Sequence, residues 1–468
     1  MRAGMVRAMA LAAGVFLLSG ACGGGEGFAT RRVQVDHSSD QFATFALFNF
    51  PAKVTVRRGD AVEFKQTWTG EPHTVTGGAS VTKTLREGSA WVDFFDAYDS
   101  LLGSGEPLPN PDKPGNATVG DLAKAMHGAK DEALRKKGVE AYEALSARYG
   151  LPALDDASTA SFADLVETVG KKSDEFFSAM PSAFGDDDQL AQNVAQACYL
   201  KEGGPPEDQT KSCKDKEQVQ PRFDGRQSYY NSGVIPYQGT GGNTFKVRIA
   251  DDAKLGSYLF YCAVHGLSQR TEVEIVGADA DIPSQSEVNR QIRAGTSAIN
   301  KDLEVLYDDA KDDLKVKLPK ADEPIEGPFA GLAGKEHTAI NEFVPKERAV
   351  KAGEPITWKM MGSYHTISFD VPRYFPIMEF LKKGTVRINP KLSPPAGGAV
   401  EYVEPKDEEE QGPPKHDGGT YDGTGFWSSG LIGAEPYLEY TMRITKPGTY
   451  NYACLLHPAM VGRIKVTQ

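Results

Sequence analysis

The feature that most constrains this chain is that it matches itself. Lys254-Leu-Gly-Ser-Tyr-Leu-Phe-Tyr-Cys262-Ala-Val-His265 aligns without a gap with Lys446-Pro-Gly-Thr-Tyr-Asn-Tyr-Ala-Cys454-Leu-Leu-His457. Upstream and in the same order, Ser232-Gly-Val-Ile pairs with Ser429-Gly-Leu-Ile, and Phe245-Lys-Val-Arg-Ile with Tyr440-Thr-Met-Arg-Ile. Further back, the run from Val54 to Phe64 precedes His73 much as the run from Val350 to Trp358 precedes His365. In each run apolar and polar residues alternate between Gly or Pro turns, the pattern of short half-buried β-strands. Similarity that keeps its order over such a length predicts two β-domains of one type.

The copies differ in length: His73 to Cys262 spans 189 positions and His365 to Cys454 spans 89, so the first copy carries 100 extra. Much of that excess has helical spacing. Trp91, Phe94, Phe95, Tyr98, Leu101 and Leu102 form one apolar stripe with Ser89 placed to cap it, and Leu122, Met126, Tyr142, Leu145, Phe162 and Leu165 continue the pattern. Leu190, Val194 and Ala197 form a last such run. An all-helical insertion at about 88–225 is expected in a surface loop of the first β-domain, because loops tolerate insertions. Cys198 ends the last helical run and Cys213 lies 15 residues on, across a Gly-Gly-Pro-Pro turn. A disulfide is the economical reading in an exported chain.

Between the copies, Ser284-Gln-Ser-Glu287 is a capping-box pattern, and Val288, Ile292, Ile299, Leu303 and Leu306 then fall along one helical face. This predicts an amphipathic linker helix, within 278–325, packed on one or both domains. The second copy has its own excursion at 373–426, rich in Pro, Gly and acidic residues and expected as a solvated loop with little regular structure. At the N-terminus, Arg2 and Arg7 precede an apolar run from Ala8 to Leu18, too short to span a membrane, and small residues lead to Cys22. The pattern resembles a bacterial lipoprotein signal at 1–21, with Cys22 as the lipidated residue and 22–29 as a Gly-rich tether. Its bulky residue Leu18 stands four positions before the cysteine rather than three.

Composition sets the outer limits. At roughly 150 residues per domain, 468 residues make about three folded units. A net charge of −12 argues against nucleic acid as a partner, since phosphate binding needs a basic face. With 40% apolar and 25% charged residues the chain is not globally disordered, and five cysteines are too few for a disulfide-dense scaffold.

The chemistry lies in the repeated motif. Cys454, His457 and Met460, with His365 far upstream, supply a thiolate, two imidazoles and a thioether, the donors of a His₂Cys copper plane with a weak axial Met. A structural zinc site would want a fourth strong ligand, which Met is not. At these residues the chain resembles the cupredoxins of the plastocyanin and azurin type, and its Cys-x2-His-x2-Met loop is similar to that of amicyanin. The resemblance covers about 30–86 with 226–277, and 335–468. It implies a mainly β fold of two cupredoxin-type Greek-key β-sandwich domains, at 30–277 and 326–468, each with a type 1 copper. In the first copy His73, Cys262 and His265 match the equatorial ligands, but no Met follows; Ser268 aligns with Met460, and Gln269 is the alternative axial donor through its amide oxygen.

The family implies single-electron transfer between a redox protein donor and acceptor, at the outer face of the membrane or in the periplasm, through the histidine of the Cys-x2-His loop. That ligand typically lies near the surface in a small apolar patch, here Leu455, Leu456, Pro458 and Ala459. Multicopper oxidases and copper nitrite reductases are similar in architecture but place a His directly before the copper cysteine, where this chain has Tyr261 and Ala453. His37, His127, His337 and His416 are scattered and form no His-x-His pair, so an electron carrier rather than an enzyme is expected. The competing readings are copper capture or delivery at the cell surface, for which Met-rich or His-rich tracts are missing, and a docking role for the helical insertion.

Overall fold

The computed structural model describes residues 28–39, 41–179, 220–235, 242–317, 323–334, 337–372, 378–380, 386–390, 413–433 and 437–468. The expected signal, the lipidation site Cys22, the tether as far as residue 27, the helical run at 190–197 and the Cys198–Cys213 pair all lie outside them. Among the described residues the chain is mainly β with five helices, and no helix is long and apolar enough to cross a membrane.

Alternation of buried and exposed residues builds the first β-unit as two facing sheets. One orders its strands Asn49–Phe50, Thr30–Val35, Ala61–Gln66 and Thr244–Arg248; the other runs Lys53–Arg57, Gly266–Val276, Gly256–Cys262, Thr76–Gly77 and Tyr230–Asn231. Val33, Phe64, Val56, Phe260 and Val273 meet between them in a dry core. Both sheets are mixed: Thr30–Val35 runs parallel to Ala61–Gln66, and Lys53–Arg57 parallel to the end of Gly266–Val276. The second β-unit repeats the plan. Its larger sheet includes Thr338–Val344, Phe329–Ala333, Pro355–Met360 and Leu438–Ile444, and its other sheet Glu347–Lys351, Val461–Thr467 and Gly448–Ala453. Trp358, Phe343, Tyr452 and Met442 fill the space between.

Three features depart from the linear division of the sequence. Thr44–Ala46, which lies in the chain between two strands of the first unit, pairs instead with Thr338–Ile340 of the second. It covers an edge that would otherwise offer unpaired backbone groups to solvent. The excursion at 373–426 is more regular than expected: Lys415–Tyr421 adds a parallel strand beside Leu438–Ile444, and Met378–Phe380 pairs with Val386–Ile388. His416 stacks on Tyr440 there, so contact with the sheet overrides the turn-rich composition. The first helix also starts earlier than Ser89. Helix α1 spans Ala79–Gly103, leaving the strand Thr76–Gly77 directly, with Gly78 at its N-cap and Ser89 in its interior. The reason is Leu85, which packs against Leu259 and Tyr261 and so fixes the first turns of the helix to the sandwich.

Helices α2 (Val119–Gly128), α3 (Glu132–Tyr149) and α4 (Phe162–Ala179) complete a small core with α1 around Trp91, Leu122, Met126 and Tyr142. The linker forms α5, Gln285–Asp313, with the Ser284 hydroxyl accepting from the Glu287 N–H at 3.2 Å. Its apolar face serves both β-units: Val288 and Ile292 pack with Ala46 and Phe50, while Leu303 packs with Phe42, Phe329 and Ile340. Leu303→Ala should therefore cost about 2–5 kcal/mol, as buried Leu truncations do. Denaturant unfolding is the measurement, and a change under about 1 kcal/mol would mean that α5 is not part of the shared core.

Candidate metal centres

Each β-unit brings one upstream histidine and one Cys-x2-His loop together at the end of its sheets. In the second unit, Nδ1 of His365 lies 3.1 Å from Nδ1 of His457, which lies 3.6 Å from Sγ of Cys454. In the first unit, Nδ1 of His73 and of His265 are again 3.1 Å apart, and Cys262 Sγ lies 3.6 Å from His265 and 3.8 Å from His73. The supports match as well. Thr366 N–H and Thr74 N–H donate to the two sulfurs at 3.4 and 3.3 Å, and the hydroxyls of the same threonines accept from Leu455 N–H and Ala263 N–H at 2.8 Å. Ser429 and Ser232 hydroxyls accept from Ile367 and Val75 N–H. These shared hydrogen bonds fix each thiol and each upstream imidazole to one backbone frame.

Three donor atoms this close to one another suit a single ion. Metal bonds of about 2.0–2.1 Å to nitrogen and about 2.3 Å to sulfur would reach all three atoms of a triad from one point. The electrostatics agree. Burial opposes ionisation of Cys262 and Cys454, but hydrogen bonds and charge from the flanking imidazoles outweigh it, and both thiols are held well below the usual range. Burial likewise works against protonated His265 and His457, yet the neighbouring thiolate and Glu71 raise them to about 10 and about 9. A cation between the donors satisfies the same negative groups.

The rings are oriented from behind, and differently in the two sites. His365 donates from Nε2 to the Met361 carbonyl at 3.1 Å, and burial lowers its pKa. His73 instead faces the carboxylate of Asp36 through Nε2 at 3.1 Å, which overcomes the effect of burial and raises it to about 9. Asp36 is itself fixed by Thr69 Oγ1 at 2.6 Å and by the Ala46 N–H at 2.8 Å.

The fourth positions also differ. Met460 is fully buried, and its N–H and carbonyl close the loop onto His457 and Cys454 at 2.9 Å each. In the first unit the strand Gly266–Val276 alternates, placing Gln269 inside on the same face as Val273 and Ile275, and Ser268 toward the other side. Gln269 Oε1 reaches His73 Nδ1 at 2.8 Å, whereas the Ser268 hydroxyl bonds the His265 carbonyl. A register shift between Gly266 and Arg270 absorbs the extra residue of this loop.

One expectation is overturned. His457 does not lie at the surface: it is 1% exposed, Leu455 and Leu456 are buried beside it, and its Nε2 meets Glu71 Oε1 at 3.0 Å. The other oxygen of Glu71 lies 3.3 Å from Nε2 of His265. The loop carrying Glu71 comes this close because Gly70, at φ +110°, has no side chain; a Cβ there would collide with the Leu456 carbonyl. Spacing alone gives neither Glu71 nor Asp36 a role, although Glu71 opens the Glu71-Pro-His-Thr-Val segment that resembles the first-ligand segment of bacterial cupredoxins.

No family model matches the chain, and no curated protein does. Among solved structures, a mutant of amicyanin with Cu(I) is similar at 16% identity, over 27% of this chain and 73% of its own, with a TM-score of 0.14. Oxidised plastocyanin from Dryopteris crassirhizoma is similar at 20% identity, over 27% of this chain and 89% of its own, also with a TM-score of 0.14.

Gly331 gives a direct check on the second site. It sits at φ +80° with its missing Cβ aimed at the His365 imidazole and the Met361 carbonyl. Gly331→Ala should lower stability by about 1–3 kcal/mol through strain and overpacking, read by thermal or denaturant unfolding. Unchanged stability would contradict the tight packing behind His365.

Proposed function

We propose that this chain is an exported, lipid-anchored blue copper protein of two cupredoxin domains that carries single electrons between redox partner proteins. His365, Cys454 and His457, with Met460 as a weak fourth donor, would hold one type 1 copper, and His73, Cys262 and His265, with Gln269 as the fourth, a second. The observation that carries this reading is the pair of Nδ1, Nδ1, Sγ triads, in which the two nitrogens are 3.1 Å apart and the sulfur lies 3.6 Å from the loop histidine in both, each set behind the same threonine and serine hydrogen bonds. Two imidazoles and a thiolate with a weak fourth donor favour copper over zinc. Bound there, copper supplies a one-electron couple.

The chain's own residues do the rest. Hydrogen bonds from Thr74 and Thr366 N–H withdraw electron density from the sulfurs, a recognised control of potential in such sites. Asp36, Glu71 and the Met361 carbonyl hold the imidazoles in place from their Nε2 side, so the donor set need not rearrange when charge changes. Burial of the donors keeps water away and works against ready release of the metal, which favours an electron carrier over a copper delivery protein. Partners with basic faces would suit the net charge of −12.

Metal analysis should give one copper per triad. Cys454→Ser and Cys262→Ser should each remove the thiolate-to-copper absorption of one triad and spare the other; a variant that leaves the whole absorption intact would defeat that triad's assignment. Asp36→Asn should weaken Cu(II) binding at the His73 triad by about 10–100-fold and raise its potential, because the ring loses a carboxylate that increases its basicity. Redox titration of the two absorption bands checks this, with the other triad unchanged.

A further inference from the structure

Glu71 belongs to neither triad, yet it touches a ring of each. Its two carboxylate oxygens lie 3.3 Å from His265 Nε2 and 3.0 Å from His457 Nε2, while the opposite nitrogens of those rings, Nδ1, face the two sulfurs. The carboxylate is 8% exposed, and the loop is held by the Gln66 side-chain amide, which donates to the Glu71 carbonyl at 2.6 Å, and by the close approach of Gly70 to Leu456. Phe45, on the strand lent to the second unit, packs beside the His457 ring at 6.1 Å.

On the copper reading above, we propose that Glu71 is the electronic bridge between the two centres, passing one electron from the Cys262 triad to the Cys454 triad through His265, its carboxylate and His457. The path crosses only two non-bonded gaps, and both are hydrogen bonds. A surface ion pair would serve to glue two domains together; a buried carboxylate shared between two ligand rings is costly to desolvate and is sited where it joins the centres. Asp36 behind His73 and a neutral carbonyl behind His365 favour the oxidised metal in the first triad relative to the second, which sets the direction. In the step one metal goes from Cu(I) to Cu(II) and the other from Cu(II) to Cu(I). No bond forms or breaks, and Glu71 stays hydrogen-bonded to both rings. The electron entering the first triad comes from a one-electron donor protein.

The test uses the full chain loaded with copper, reduced by a pulse carrying less than one electron per chain, with internal equilibration followed at the two absorption bands and by freeze-quench EPR. Glu71→Gln keeps the shape and removes the charge; Glu71→Asp keeps the charge and is too short to reach both rings. Loaded with copper in excess, both variants should bind it more weakly yet still hold two coppers and both absorptions, while internal transfer slows by about tenfold or more, the scale of other changes just outside a metal's ligands. Glu71→Gln should also raise both potentials, an effect that a purely mechanical role would not produce. Unchanged transfer in either copper-loaded variant overturns the bridge, as does loss of a copper, which would make Glu71 part of a site rather than a link. Wild-type protein that takes up no copper or gives no thiolate-to-copper band would instead defeat the copper reading itself.

Discussion

A buried carboxylate needs donors for both oxygens, and Glu71 finds them in two imidazoles from opposite halves of the chain. Burial opposes its charge, and the hydrogen bonds from His265 and His457 more than offset this, leaving the carboxyl well below its usual range. Because each imidazole also faces a thiol through its other nitrogen, the position of this one side chain depends on both donor triads and on the packing of one β-unit against the other. Little freedom remains: moving Glu71 leaves a buried charge unpaired, and moving either ring disturbs a cluster.

Several other features hold the halves in that relation. The strand Thr44–Ala46 is covalently part of the first unit and hydrogen-bonded into the second. The Ala46 N–H also binds the carboxylate of Asp36, whose other oxygen faces His73, so the exchanged strand connects directly to the surroundings of the first cluster. Helix α5 adds an apolar clasp across the same junction through Val288, Ile292 and Leu303. These contacts are hydrophobic or backbone in character and are little weakened by salt, unlike the exposed ion pairs elsewhere on the chain.

What could be read from the sequence was what repeats or has a period. The triads follow from the two aligned motifs and their upstream histidines, and α5 from Ser284 and the spacing of Val288 to Leu306. The exchanged strand has no such mark: Thr44-Phe-Ala alternates like any short strand, and its partner is set by an open edge some 290 residues away. The early start of α1 depends on the contact of Leu85 with Leu259, the strand Lys415–Tyr421 on a neighbour in the sheet, and the burial of His457 on a loop from the other copy. Each is a tertiary contact overriding a local tendency. Asp36 and Glu71 are hidden for the same reason, since an acidic residue in a polar turn looks solvated until the fold shows what it faces.

The two copies are alike in the donor triad and in the threonine and serine frame behind it, and unlike in almost everything else that touches the donors. Behind the upstream histidine stands a carboxylate in one copy and a peptide carbonyl in the other, and an amide oxygen meets His73 Nδ1 in the first copy, whereas the loop of the second ends in the buried Met460. The frame is shared while the groups facing Nε2 of the two upstream histidines differ, so on the proposed copper reading the difference falls on the electronic surroundings of the metal. On that proposed reading, two equal centres joined by a symmetric carboxylate would exchange charge without preference, whereas two unequal ones joined by the same carboxylate would give the junction a direction.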